Sequence, residues 1–248
     1  MIDSAKAIKA MTLYQGVERV YNELRERGLE GNESLNHTAL TDFDQLHYFG
    51  TDAVDDAIAQ LTIGSTDTVL DIGAGFGGPA RHLAATTQCQ VIAVELQRDM
   101  HAAGQDLTRR TGLHDRVCHI NADVLDLSSN AQMETPVHHV VSWLAFLHIP
   151  NREQLLQLCF DWLQPGGKLY FEDFHERGQF SDAERLLVQT DLYCHRLPSL
   201  TDVYRDLSKA GFEHIHVDDL THTWAPFVRD RLAAWRSAQA RHGRVHGE

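Results

Sequence analysis

The chain has 248 residues, with 43% apolar and 23% charged side chains, enough to build one α/β core of ordinary size and too apolar for a disordered or collagen-like chain. Twenty-two Lys and Arg against 35 Asp and Glu leave a net charge of −13, the wrong sign for a protein that grips nucleic-acid phosphates. No run of ~18 apolar residues is present to cross a bilayer, and the opening MIDSAKAIKA lacks the apolar centre of a secretory leader.

The charge is uneven. Residues 224–248 carry five arginines against Asp230 and Glu248, a local +3 that leaves −16 on the remainder. The 16 histidines are read as surface composition rather than as a pH sensor. Cys89, Cys118, Cys159 and Cys194 lie far apart and form no C-x-x-C pair, so a reducing, cytoplasmic setting is expected, with neither a disulfide nor a zinc framework.

Taken in order, residues 4–27 read as a helix, with Ile8, Met11, Tyr14, Val17, Val20 and Leu24 at three- and four-residue spacing and Gly28 to close it. The polar stretch 28–42 reads as a loop. Thr51 and Asp52 open a second helix with Val54, Ile58 and Leu61 inward, ending at Gly64. From Thr68 strands and helices alternate: TVLDI, then a helix from GPARHLAATT; VIAVE, then a helix over RDMHAAGQDLTRRTG; VCHINAD; HHVVSWL, then a helix over 151–163. Pro165-Gly166-Gly167 predicts a turn into the strand KLYFEDF. Helices follow over 181–197 and 200–210, then a sixth strand, FEHIHVDDL, and a terminal helix from Pro226 with Phe227, Leu232 and Trp235 on one side.

That alternation predicts an α/β, doubly wound, mostly parallel sheet of Rossmann-like form, with right-handed crossovers and ligands at the carboxyl ends of its strands. The expected division is an N-terminal helical lid over 1–50, a ligand-binding domain over 51–223, and a C-terminal helix with a basic tail over 224–248.

The chemistry centres on Val69-Leu70-Asp71-Ile72-Gly73-Ala74-Gly75-Phe76-Gly77-Gly78, a buried strand running into a glycine-rich turn and a helix. Glycines at 73, 75 and 78 also match the dinucleotide spacing G-x-G-x-x-G, so the neighbours must decide. Asp71, two residues before the first glycine, would repel a pyrophosphate and suits a ligand bearing an ammonium and a sulfonium. Glu95 ends the next strand, where an acid can accept two ribose hydroxyls. Asp123 ends the third, within reach of an adenine amino group. Each acid has a plainer role available, as a helix cap or a turn residue; the three together point to one ligand.

VLDIGAGFGGPARHLA, VIAVE, NADVLDL and LQPGGKLYFED, in this order over roughly residues 50–220, resemble the class I S-adenosylmethionine-dependent methyltransferases. The resemblance implies S-adenosylmethionine as cofactor, Gly73 and Gly75 beside its methionine portion, Asp71 at its amino group, Glu95 with Leu96 at the ribose, and Asp123 with Val124 at the adenine. DIGAGFGGPAR, AFLHI and DQLHYFG are similar to the phosphoethanolamine and sarcosine/dimethylglycine N-methyltransferases. In the phosphoethanolamine enzymes a histidine matching His148 assists the acceptor, and an acid usually stands four residues earlier, where this chain has Leu144. The family sheet usually ends in a hairpin of strands six and seven. No strand is expected here after 223, which leaves open a sheet without its seventh strand or a shortened chain.

The resemblance therefore implies methyl transfer to a small-molecule acceptor, an amine nitrogen first. An O- or C-methyltransferase of a natural product or lipid intermediate and a catalytically inactive cofactor-binding partner subunit stand as alternatives; Asp71 argues against a nicotinamide dehydrogenase. His148 is expected to take a proton from the acceptor with an ordinary imidazole pKa, or to orient it, the alternative being a structural histidine. Trp143, Leu144 and Phe146 are expected to shape the same wall, with core packing the plainer reading. His47, Tyr48 and Phe49 are expected to close over the cofactor, or to staple the following helix. Tyr193 and Arg196 are candidates for the acceptor, Arg196 for an anionic group or simply a surface ion pair. His214, His216 and His222 do not suggest a metal site, because no acids cluster beside them. The basic tail reads as a solvated helix face, and neither nucleic acid nor membrane is expected as a partner.

Overall fold

A computed structural model describes residues 16–129 and 136–247. The first part of the expected N-terminal helix, with Ile8, Met11 and Tyr14, lies outside these residues. Its remainder is α1, Glu18–Glu26, which buries Val20 and Leu24. Next come α2 (Thr51–Leu61), β1 (Thr68–Ile72), α3 (Gly78–Thr87), β2 (Gln90–Glu95), α4 (Arg98–Arg110), β3 (Val117–Asn121) and β4 (Val137–Trp143). The chain continues through α5 (Arg152–Trp162), β5 (Leu163–Glu172), α6 (Asp182–Asp191), α7 (Leu200–Ala210), α8 (Thr221–Ser237) and α9 (Gln239–His246).

The strands pair in the order β3-β2-β1-β4-β5, every pair parallel. Side chains alternate across each strand, so the sheet has two apolar faces. Leu70, Ile72, Ile92, Val94, Ile120 and Val140 pack on α5 and α7. Val69, Val91, Ala93, Val117 and Val141 pack on α2 and α3. A third cluster joins α1 and α4 through Val20, Leu24, Met100 and Leu107, with Phe76 of the glycine turn among them. The chain winds from β1 through β2 to β3 in one direction and from β4 to β5 in the other. The crevice between the carboxyl ends of β1 and β4 is therefore the topological switch point, where open α/β sheets bind their ligands.

Several expectations are corrected. FEHIHVDDL is not a strand; no strand follows β5 among the described residues. Its alternation survives only at Ile215 and Val217, which pack against the core with Phe212, and no neighbouring strand offers it a ladder of hydrogen bonds. The Pro165-Gly166-Gly167 turn lies inside β5 as an irregularity: Val137 pairs with Leu163 and His139 with Lys168, and Gly166 has φ +81°. The helix predicted to reach 197 stops at Asp191, and Tyr193 then takes φ +47°. The terminal helix begins at Thr221 rather than Pro226, its first N–H held by Asp219 Oδ1 at 2.9 Å. The basic tail is not a free helix face: Arg241 forks onto Glu23 at 2.7 and 2.9 Å, Arg244 meets Glu26 at 2.7 Å, and His246 meets Glu23 at 3.0 Å. Thus α9 is bound to α1. No helix among the described residues is long and apolar enough to cross a membrane.

Candidate active site

At the switch point β1 runs directly into its glycine turn. The N–H groups of Gly73 and Ala74 both donate to the Val94 carbonyl, at 2.9 and 3.0 Å. Gly73 has φ +76°, and a Cβ there would lie 2.3 Å from Cβ of Ala145, so only glycine lets the turn meet the segment after β4. Gly75 N–H donates to Glu95 Oε2 at 2.9 Å, and Gln97 N–H to Oε1 at 2.7 Å. Asn121 Nδ2 donates to the carbonyls of Glu95 and Leu96, tying the tips of β2 and β3 together. The Glu95 carboxylate is thereby fixed at the crevice with acceptor capacity to spare.

Asp71 sits beside it, 1% exposed, with Oδ2 lacking any hydrogen-bond partner. Burial, and then the neighbouring Glu95 charge, push its pKa up to about 8. A buried carboxylate facing a pocket without a donor fits a ligand that brings its own positive group. Asp71, Gly73, Gly75, Glu95, Leu96, Asp123 and Val124 all line one pocket, with Ala122 and Leu125 as apolar wall. Asp123 Oδ1 also accepts the Leu125 N–H at 3.0 Å. These residues suit the ammonium, ribose hydroxyls and base of S-adenosylmethionine.

The far wall comes from β4 and the segment before α2. Trp143, Leu144, Ala145 and His148 line it, together with Asp44, Leu46 and His47. Leu144 takes φ +53°, an uncommon conformation for a branched residue, and its N–H donates to the Glu172 carbonyl. His148 closes a short 3-10 turn, Phe146–His148, that is held from β5's end: Leu147 N–H donates to Asp173 Oδ2 and Phe174 N–H to Oδ1, each at 2.7 Å. Burial lowers the His148 pKa, against the pull of hydrogen bonds to the backbone of Leu192 and Tyr193, so the expected ordinary imidazole pKa is corrected downward. His47 stacks on Trp143, centroids 5.6 Å apart, and burial takes its pKa to about 4.

The other candidates lie elsewhere. Phe146 turns into the core and stacks on Phe171 at 5.0 Å. Tyr48 packs edge-on against Trp224 at 4.8 Å, with Phe174 and Phe227 nearby. Tyr193 stands outside the pocket wall and meets His148 through its backbone. Arg196, 67% exposed, pairs with Asp202 at 2.8 Å. Among the described residues no group of three or more His, Cys, Asp and Glu side chains is arranged to hold a metal ion.

Sequence reasoning missed a buried network behind the pocket. Arg81 of α3, 1% exposed, donates to Asp44 Oδ2 at 2.9 Å, Thr108 Oγ1 at 3.0 Å and the Gly104 carbonyl at 3.2 Å. Gln45 Nε2 donates to Asp44 Oδ1, and Gln45 Oε1 lies 2.9 Å from His47 Nε2. The signal available was Gly78: a Cβ there would lie 2.5 Å from the Asp44 carbonyl oxygen. That glycine makes room for the 44–47 segment, not for a ligand.

Residues 69–167 match the family model of the methyltransferase domain. The chain is 27% identical over 186 residues to the methyltransferase GfsG of Streptomyces halstedii, covering 74% of this chain and 66% of that protein. It is 30% identical over 163 residues to the sarcosine/dimethylglycine N-methyltransferase of Halorhodospira halochloris, covering 64% and 56%. Its fold matches phosphoethanolamine N-methyltransferase 2 of Haemonchus contortus, solved in complex with S-adenosyl-L-methionine, with a TM-score of 0.77 at 18% identity, over 96% of this chain and 51% of that one. The chain thus spans only part of the length of each of these relatives.

Proposed function

We propose methyl transfer to a small-molecule amine, proceeding from the premise that this chain belongs to the S-adenosylmethionine-dependent methyltransferases. The observation that carries the reading is Asp71, a buried carboxylate with an unpartnered oxygen beside a prearranged Glu95, at the switch point of the sheet. When bound, S-adenosylmethionine supplies a methyl group made electrophilic by the adjacent sulfonium. Asp71 would hold its ammonium, Gly73 and Gly75 would let the backbone come close to its methionine portion, and Glu95 with Leu96 would receive the ribose. Asp123 and Val124 would hold the adenine.

The amine must present a free lone pair, so one proton leaves it. His148, which burial keeps neutral, has a ring nitrogen free of its proton to receive that one, as a weaker base than an exposed imidazole. Trp143, Leu144 and Ala145 exclude water and orient the acceptor, which matters more in this displacement than a strong base. The names of the sarcosine/dimethylglycine and phosphoethanolamine relatives support nitrogen as the atom methylated.

The test pairs titration calorimetry with an acceptor panel of amines, alcohols and carbon nucleophiles read by mass spectrometry. The reading requires binding of S-adenosylmethionine and transfer to nitrogen. Protein that binds the cofactor and methylates only oxygen or carbon would refute the amine assignment.

A further inference from the structure

The turn that carries His148 has little to hold it from within. Phe146–His148 is a single 3-10 turn, closed by His148 N–H on the Ala145 carbonyl and Ile149 N–H on the Phe146 carbonyl, each at 3.1 Å. One turn of that kind forms few bonds for the backbone freedom it removes. It is also entered through Leu144 at φ +53°, a conformation that persists only where the surroundings over-determine it. Those surroundings are the end of β5. The Glu172 carbonyl accepts the Leu144 N–H at 2.9 Å, and Asp173 Oδ2 accepts the Leu147 N–H at 2.7 Å, one residue before His148.

Asp173 Oδ1 accepts the N–H of Phe174, also at 2.7 Å, so both oxygens face a donor and the position calls for a group that only accepts. Desolvation pushes its pKa up to about 7, against the pull of those two N–H groups and of Arg152. Phe174 packs edge-on against Trp224 at 5.6 Å and Tyr48 at 6.0 Å, which fixes the course of the chain as it leaves β5. The His148 ring is held from the same stretch of chain, by hydrogen bonds to the backbone of Leu192 and Tyr193. Main chain and ring of His148 are thus both placed by the end of β5 and the segment beyond it, and Asp173 supplies the side-chain anchor.

We infer that Asp173 is a positioning residue for methyl transfer: its carboxylate holds the turn that presents His148 to the acceptor. This rests on the methyl-transfer reading above, with His148 as the group that meets the acceptor. Displacing such a group by about 1 Å can cost about 100-fold in rate, so a residue that never touches the acceptor can still set kcat.

The experiment is a double-mutant cycle on the full chain at pH 8, with Asp173→Asn and His148→Ala alone and together. Phosphoethanolamine, sarcosine and benzylamine serve as acceptors, with transfer read by mass spectrometry and cofactor binding by calorimetry in the same preparations. Asparagine offers one acceptor oxygen where two are needed. In Asp173→Asn kcat should fall by about 10–100-fold, with affinity for S-adenosylmethionine little changed. Added to His148→Ala it should lower the rate no further, because its effect passes through that ring. Near-normal kcat in Asp173→Asn would overturn the inference. So would an equal further fall in the double variant, which is what general damage to the fold predicts. Where circular dichroism shows the variant misfolded, a pH titration of wild type by NMR decides. The Leu147 and Phe174 amide protons and the His148 ring should then share a common step, set by the carboxylate that holds them, and separate steps would overturn the inference. Wild type that binds the cofactor and methylates none of the amines would overturn the amine reading and this inference with it, whereas failure of the cycle alone leaves that reading standing.

Discussion

The Asp71 carboxylate is fully enclosed, and its unpartnered oxygen makes it a destabilising group in the ligand-free protein. Its folded pKa of about 8 lies above the ordinary value of 3.8, so between those limits the native state holds more protons than the unfolded chain. Stability therefore falls as pH rises from about 4 to about 8. Asp71→Asn is expected to raise the ligand-free unfolding midpoint at pH 8, with little effect at pH 4, because the amide never ionises. Scanning calorimetry of both proteins at the two values tests this; an unchanged or lower midpoint at pH 8 contradicts it. At His148 the expectation concerns rate. His148→Ala should slow methyl transfer by about 10²–10⁴-fold if the ring takes the proton, with cofactor affinity little changed. His148→Asn keeps hydrogen bonding without a proton site. Restoration of rate by Asn would assign orientation instead, and near-normal rates in both variants would make the histidine structural. The three acids were legible because each lies at or just beyond the carboxyl end of an apolar strand, Asp71 next to last in β1, Glu95 last in β2 and Asp123 two residues past β3. The course of Tyr48 and Phe146 away from the pocket, Phe146 into the core, was not, since an aromatic residue fits a pocket wall and a core equally well until its neighbours are known.

At the scale of elements, the 44–47 segment and the start of α3 form one unit. Arg81 and Asp44 make a buried ion pair, and the Asp44 backbone rests where Gly78 has no side chain. Gly78→Ala should push the segment away from α3, since its new methyl would meet main chain rather than a flexible side chain. Expected are a stability loss of about 1–3 kcal/mol and weaker cofactor binding, read by denaturant titration and calorimetry. Affinity and stability both equal to wild type would detach this segment from the site. Arg81 and Asp44 were hidden in the sequence because their positions look like an ordinary charged helix face and a loop. The core strands were legible because parallel strands buried on both sides are nearly continuous apolar runs. FEHIHVDDL misled because alternation reports which residues face a core and says nothing of whether a neighbouring strand is available.

For the whole molecule, the tail and the N-terminal helix close on each other. Glu23 gathers Arg241 and His246, and its hydrogen bond to Arg241 is the main reason its pKa is lowered. Arg241 is partly exposed, so Glu23→Gln should cost about 1 kcal/mol or less. Its clearer signature is faster amide exchange in both α1 and α9, with the sheet unchanged. Exchange unaltered in both helices would mean that the ion pairs do not hold them. Since α1 packs through Val20 and Leu24 on Met100, a residue of the pocket wall, cofactor should also slow exchange in α1 and around Tyr48 more than in α8.

The central claim is that a buried acid at the switch point receives the positive end of S-adenosylmethionine, and titration calorimetry on wild type and Asp71→Ala tests it most directly. Run at pH 7 in buffers of different ionisation enthalpy, it should show saturable binding with proton release, because a carboxyl of pKa about 8 must ionise to hold an ammonium. Asp71→Ala should lose about 1–3 kcal/mol of affinity and most of that release. Wild-type affinity and unchanged proton release in the variant, with the fold intact by circular dichroism, would contradict the account.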